Sequence, residues 1–271
     1  MKMTEPEIKQ IRNETKEEMK KISQQKKQRL SSALIIKIPA SNSYYNSVNI
    51  AVGRQRSGKT HSIIQEIINI SKVCPNTHML IYTNKTGYPT DETFEAMKDL
   101  IRIPIVYVAH DNLTEFMQDF LMWKQFYKDV RDRNLGNLII DEQREELFER
   151  LHITDFNSPF LHTLILLDDV AQAKILKNEK TYVQEMMTQC AHINCSFFLA
   201  VQFWKSLTTN IKENATTIFL FGGYSKRTLH YIFSQTNTPV EMDEFYSRYQ
   251  SMKKHEKIII DSRSNEINFD N

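Results

Sequence analysis

Residues 53 to 60 read GRQRSGKT and match G-x-x-x-x-G-K-[ST] through Gly53, Gly58, Lys59 and Thr60. Each fixed residue type has a chemical reason. The glycines allow a tight backbone path whose successive N–H groups converge on a phosphate. Lys59 can reach β- and γ-phosphate oxygens as a point charge, and the Thr60 hydroxyl suits Mg²⁺. A helix beginning there adds its positive end to the same spot. The chain holds only six glycines, so two within six positions mark a place where the backbone needs them. The residues expected to touch the nucleotide are Gly53, Arg54, Gln55, Arg56, Ser57, Gly58, Lys59, Thr60 and His61. Arg54 and Arg56 leave several roles open: positive potential for a triphosphate, a contact with a neighbouring subunit, or simple solvation.

Such a loop requires an acid on a nearby strand. LILLDDV, ending in Asp168 and Asp169, supplies one after a run of apolar residues. The first acid, Asp168, is expected to hold Mg²⁺, and Asp169 to polarise an attacking water. NLIIDEQ, with Asp141 and Glu142, is the rival acidic run, but its apolar stretch is short and charge surrounds it. CSFFLAVQ ends a third apolar run on Gln202. That amide either senses the γ-phosphate and orients water or merely caps a strand.

These residues need elements to hold them. SVNIAV (47–52) reads as a buried strand ending at Gly53, and HSIIQEIINISKV (61–73) as a helix. THMLIYT (77–83), IPIVYV (103–108), LHTLILLDDV (161–170), CSFFLAVQ (195–202) and TTIFLF (216–221) read as further strands. DNLTEFMQDFLMWKQFYKDV (111–130), TYVQEMMTQCAHI, SKRTLHYIF and PVEMDEFYSRYQ have helical spacing, and EKIIIDS reads as a closing edge strand. Alternation of strands and helices predicts an α/β fold with a mainly parallel central sheet.

Residues 1–32 stand apart as a charged helical arm whose second half, KKISQQKKQR, is basic. It is either solvated or in contact with nucleic acid or another subunit. The core domain is expected over 33–271, with a charged insertion near 131–158.

The chain has 271 residues, 41% hydrophobic and 25% charged, which is enough apolar material for a sizeable core. A net charge of +2 argues neither for nor against a polyanionic partner. Three cysteines and no apolar N-terminal run point to a reducing, intracellular setting rather than a disulfide-stapled secreted one. No stretch approaches the length of a membrane span. Cys190, His192 and Cys195 lack a second ligand pair at zinc spacing, so packing is their expected role. Trp123, Phe126 and Tyr127 at helical spacing are expected in the core. Lys205, Lys212, Lys226 and Arg227 form either a solvated face or a phosphate-tracking one.

Taken together, AVGRQRSGKT, LILLDDV and QCAHINCSFFLAVQFWKSLTTNIKENATTIFLF resemble the genome-packaging ATPases of large eukaryotic DNA viruses and virophages. These are the poxvirus-type members of the FtsK/HerA superfamily of P-loop NTPases. The resemblance spans roughly residues 47 to 223 and implies a RecA/FtsK-like three-layer sandwich. It implies ATP and Mg²⁺ as cofactors, with Lys59, Asp169 and Gln202 catalytic and Thr60 and Asp168 on the metal. It also implies double-stranded DNA as partner, a homo-oligomeric ring of hexamer or pentamer type, and a capsid component. The corresponding setting is the viral factory of the host cytoplasm or the virion.

The chain departs from the family where an Arg-His pair is usual, having Ala191-His192, and where I-R-x-N is usual, having Ile211-Lys212-Glu213-Asn214. Lysine lacks the planar fork of arginine. Arg227 and Arg56 are the substitute candidates for an arginine acting across subunits. Two other readings share the phosphate loop: a nucleoside or nucleotide kinase, and an assembly scaffold that binds ATP with little turnover.

Overall fold

The computed structural model describes residues 44–74, 77–84, 91–132, 162–169, 176, 181–236, 240–262 and 266–269. The N-terminal arm, the insertion expected beyond residue 132 and the rival acids Asp141 and Glu142 lie outside them.

In chain order the elements are β1 (Val48–Val52), α1 (Lys59–Val73), β2 (Thr77–Asn84), α2 (Glu92–Met97), β3 (Ile105–Tyr107) and α3 (Leu113–Asp132). There follow β4 (His162–Asp168), α4 (Tyr182–Thr188), β5 (Cys195–Val201), α5 (Thr209–Glu213), β6 (Thr217–Phe221), α6 (Lys226–Phe233), α7 (Met242–Gln250), β7 (Lys257–Asp261) and β8 (Glu266–Phe269). The chain divides into two compact units, 1–37 with 122–160, and 38–121 with 161–271. The sheet and the site described below belong to the second.

The eight strands form one sheet in the order β3-β2-β4-β5-β1-β6-β7-β8. The six from β3 to β6 pair in parallel, and β7 and β8 add antiparallel. Every residue of β1, β4, β5 and β6 is buried. That accounts for their composition: strands covered on both faces read as continuous apolar runs, not as alternations. EKIIIDS is therefore not the edge of the sheet. β7 has β6 on one side and β8 on the other. The four-residue stretch Glu266–Phe269 is too short for its pattern to announce a strand, and it forms one by pairing with β7.

Caps set the helix boundaries. Thr181, Thr208 and Ser225 each accept a hydrogen bond from the backbone N–H three residues on, starting α4, α5 and α6. α4 ends at Thr188, earlier than its pattern predicts, because residues 189–194 turn into β5 instead. α3 likewise begins two residues late, after the short 3₁₀ turn His110–Asn112.

The connections from β1 to β2 and β2 to β3 step one way across the sheet, and those from β4 to β5 and β5 to β6 step the other. Right-handed crossovers then put α1 and α2 on one face and α4 and α5 on the opposite face. The reversal falls between β1 and β5, whose carboxyl ends point to the same edge. Such a switch point leaves a crevice at that edge of an open α/β sheet.

Candidate functional site

The phosphate loop leaves β1 at this crevice. The Gly53 N–H donates to the Val201 carbonyl at 3.2 Å, which ties the start of the loop to the end of β5. A Cβ on Gly53 would sit 2.5 Å from Ser57 Oγ and 2.7 Å from Phe221 Cβ, so only glycine fits. Gly58 closes the loop at φ 101 and serves as the N-cap of α1. That left-handed conformation is costly for any residue with a Cβ. α1 then buries Ile63, Ile64, Ile67, Ile68 and Ile70, which anchors the helix whose amino end faces the cleft.

Lys59 is buried, and its Nζ donates to the Arg54 carbonyl at 2.9 Å, folding the side chain back across the loop. Burial lowers its pKa, opposed by Asp168 and Asp169. The Thr60 hydroxyl donates to both oxygens of Asp168, at 3.1 and 3.2 Å. Residues 108 positions apart thus meet because β4 lies one strand from β1, across β5. A hydroxyl beside a carboxylate is a hard-oxygen pair of the type Mg²⁺ takes.

Asp168 is 4% exposed, and its pKa is pushed up to about 7. Burial is the main cause and the nearby Asp91 carboxylate the second; Asp169 adds to the rise, while the Thr60 hydroxyl and Lys59 oppose it. Asp169 adopts φ 52, and its N–H donates to the Ala200 carbonyl at 3.1 Å. Aspartate is among the few residues that tolerate this region. The turn aims Asp169 sideways along the sheet edge, where Gln202 Nε2 donates to its two carboxylate oxygens at 3.1 and 3.2 Å.

Gln202 is itself held. Its carbonyl accepts a short hydrogen bond from the Tyr224 hydroxyl. The Tyr224 N–H donates to Tyr249 Oη at 2.9 Å, and Tyr249 donates to the Phe221 carbonyl at 2.9 Å. Burial raises the pKa of both phenols, so they remain protonated donors.

The cleft measures about 1100 Å³ and is lined by the loop from Gln55 to Ser62, by Asp168, Asp169 and Gln202, and by residues the motifs did not single out. Gln55, Arg56 and His61 line it with exposed side chains. Arg54 does not: its side chain lies over Gly223, with Cδ 3.2 Å from where a Cβ there would stand. What Arg54 turns toward Lys59 is its carbonyl.

Further residues line the cleft, Asn84, Asp91, His255 and Lys257 among them. Asn84, at the end of β2, pairs in register with Asp168. It carries the same signal as Gln202, a polar residue closing an apolar strand. Asp91 caps α2, its Oδ1 accepting from the Phe94 N–H at 2.8 Å. His255, in the turn before β7, and Lys257, the first residue of β7, had no motif to announce them; their Nδ1 and Nζ lie 3.2 Å from the Ser57 carbonyl and 2.7 Å from Ser62 Oγ.

Of the later cations, Lys205 and Lys212 both lie over the Tyr231 ring, at 4.7 and 5.6 Å, and Lys226 lies over Tyr246 at 4.8 Å. Arg227 is exposed, and so is Phe203, directly after Gln202. Trp123 is buried, while the side chains of Phe126 and Tyr127 lie outside the described residues. Among the described residues no three His, Cys, Asp or Glu side chains gather as a metal cluster, and no helix is long and apolar enough to cross a membrane.

No protein-family model and no curated protein matches the sequence. Solved structures do match in fold. The genome packaging NTPase B204 from Sulfolobus turreted icosahedral virus 2, in complex with AMPPCP, is 17% identical at a TM-score of 0.50. The match covers 85% of this chain and 98% of that one. The cytoplasmic domain of the Thermomonospora curvata Type VII Secretion ATPase EccC is 13% identical at a TM-score of 0.51, covering 78% of this chain and 24% of EccC. ATPases 2 and 3 of EssC from Geobacillus thermodenitrificans are 10% identical at 0.50, covering 79% and 37%. The chain has the fold of these ATPases. The match to B204 runs over nearly all of that NTPase, whereas EccC and EssC are much longer than the part they share.

Proposed function

We propose that the chain is an ATPase that moves double-stranded DNA and packages a viral genome into a preformed capsid. The observation that carries the hydrolytic part is the meeting of Lys59, Thr60, Asp168, Asp169 and Gln202 at one sheet edge. The packaging part is supported by the likeness to B204 over nearly its whole length and by the sequence resemblance already described.

In this reading the triphosphate lies along residues 53–61, with loop N–H groups and Lys59 on its oxygens. Lys59 then exchanges the Arg54 carbonyl for phosphate. Thr60 and Asp168 would hold Mg²⁺, which when bound neutralises charge on the β- and γ-oxygens. Asp169 accepts a proton from water as the water oxygen bonds to the γ-phosphorus. The bond from that phosphorus to the bridging oxygen breaks, leaving ADP and phosphate. Gln202 holds the Asp169 carboxylate in place. Arg227 and Arg56, both exposed, are the candidates to complete a neighbouring subunit's site in a homo-oligomeric ring. Lys205, Lys212 and Lys226 are the candidate DNA-facing cations.

Steady-state ATP hydrolysis with and without double-stranded DNA tests this, on the wild type and on Lys59→Ala. Stimulation by DNA that the variant loses is the expected result. Hydrolysis indifferent to DNA would sink the translocase reading. Phosphoryl transfer to a nucleoside would then identify a kinase, and ATP-dependent assembly without turnover a scaffold.

A further inference from the structure

The phosphate loop sits between two unlike walls. On the β4 and β2 side stand Asp168, Asp169, Asp91 and Asn84. On the other side β6 is followed in space by β7, and β7 runs antiparallel. Its first residue, Lys257, therefore lies opposite Phe221 at the carboxyl end of β6. The turn that precedes β7 is thereby delivered to the edge that carries the phosphate loop.

That turn is built to stay there. The Glu256 N–H donates to the Lys253 carbonyl at 3.2 Å, and the Lys253 N–H donates to Glu256 Oε2 at 2.7 Å. His255 takes φ 75, a left-handed conformation uncommon outside glycine, though histidine, like asparagine and aspartate, enters it more often than other residues. A non-glycine residue held there is a position the surrounding structure insists on. Its ring reaches the loop: Nδ1 is 3.2 Å from the Ser57 carbonyl and 3.3 Å from where a Cβ on Gly58 would be. Behind it, Lys257 Nζ is bound to Ser62 Oγ at 2.7 Å and lies over the Phe219 ring. His61 and Gln65 line the same cleft from the first turns of α1.

Chemistry sets the direction of a nucleotide in this cleft. The γ-phosphate must face the wall that holds Asp169 and Gln202, because attacking water is activated there. The α-phosphate and nucleoside must then leave toward β6 and β7. We propose that His255 contacts the nucleoside of the bound nucleotide and so decides how far binding depends on more than the phosphates. This rests on reading the cleft as a triphosphate site. His255 has the flat, partly polar ring that suits a base or a ribose.

The test compares two probes that differ only beyond the phosphates: Mg²⁺-ATP and Mg²⁺-tripolyphosphate. Both are titrated into the full chain by calorimetry. The variants are His255→Asn, whose side chain tolerates the left-handed backbone, and His255→Ala. The expected result is a loss of about tenfold in ATP affinity in each variant, the size of one stacking or hydrogen-bonding contact. Tripolyphosphate affinity should stay within about twofold. Equal losses for both probes would show that His255 only braces the loop through Ser57, and no loss for either would show that it makes no contact with the nucleotide; either overturns the proposal. A wild-type chain that binds neither probe would overturn the triphosphate reading itself, a separate failure from that of His255.

Discussion

Gln202 Nε2 lies 3.1 and 3.2 Å from the two carboxylate oxygens of Asp169, so one amide hydrogen-bonds across the whole carboxylate. The pair joins the end of β5 to the turn after β4, its neighbour in the sheet. If Asp169 accepts the water proton, Gln202 sets where it points. Gln202→Ala should lower hydrolysis by about 10- to 100-fold, the worth of a hydrogen bond to a charged group. ATP affinity should change by less than about threefold, since the amide holds the base and not the loop. Gln202→Glu places a second carboxylate beside Asp169 and should move the acid limb of the rate profile to higher pH. Single-turnover rates against pH, beside ATP titrations, check all three.

Lys59 stands buried, with its pKa lowered by burial. Removing it should cost little stability without nucleotide, because an expensive buried ammonium leaves with it. Lys59→Ala should melt within a few degrees of the wild type while losing at least about tenfold in ATP affinity. Melting curves with and without Mg²⁺-ATP separate the two effects. A variant that melts far lower even without nucleotide would mean that the bond to the Arg54 carbonyl is structural.

Asp168 carries a pKa raised to about 7, mainly by burial, with Asp91 as the next cause. The folded chain therefore holds this proton more tightly than the unfolded chain does. Between the unfolded value, 3.8, and about 7, the unfolded state binds fewer protons, so stability falls as pH rises. The contribution is complete below the lower value and gone above the upper one. Asp168→Asn should remove this slope in the metal-free, nucleotide-free protein. At pH 8 it should be more stable than the wild type by an amount on the order of a few kcal/mol. The same variant should lose hydrolysis, since an amide cannot replace the carboxylate beside Thr60. Denaturant midpoints from pH 5 to pH 8 measure the slope, and an unchanged slope in the variant would refute the assignment.

Gly53→Ala should destabilise the chain whether or not nucleotide is present, because the added methyl meets Ser57 Oγ and Phe221 Cβ. Overpacking of this kind costs about 1–3 kcal/mol, a fall of roughly 3–10 °C in Tm. Calorimetric melting reads it directly. An unshifted Tm would mean the loop has another path open to it.

If Lys205 and Lys212 face DNA phosphates, each neutralised to alanine should flatten the salt dependence of DNA binding by about one unit of slope. They share the Tyr231 ring. A purely structural pair would instead lower Tm and leave the slope alone. Binding isotherms from 50 to 200 mM salt distinguish these outcomes.

The apolar runs, the phosphate loop and the acidic strand end were legible in the chain because their signals are local. β1, β4, β5 and β6 are buried on both faces, so their residues are apolar in an unbroken row. GRQRSGKT names its own backbone path through Gly53 and Gly58. The closing strands were harder. β8 is only four residues long, too short for a pattern to stand out, and exists by pairing with β7, a partner its own residues do not announce. The end of α4 depended on a turn into β5, where pattern alone continued the helix.

What the sequence by itself determined is therefore the inventory: the phosphate loop, the acids Asp168 and Asp169, Gln202, and the alternating elements that carry them. Each follows from a residue type at a fixed local spacing. Only the tertiary structure decided the company these residues keep. Strand order put Thr60 against Asp168 and Gln202 against Asp169, and it turned Arg54 away toward Gly223. The antiparallel entry of β7 brought His255 to the phosphate loop from 198 residues away. Such contacts depend on sheet order and strand direction, which are properties of the whole packed sheet and leave no mark at the residues that meet.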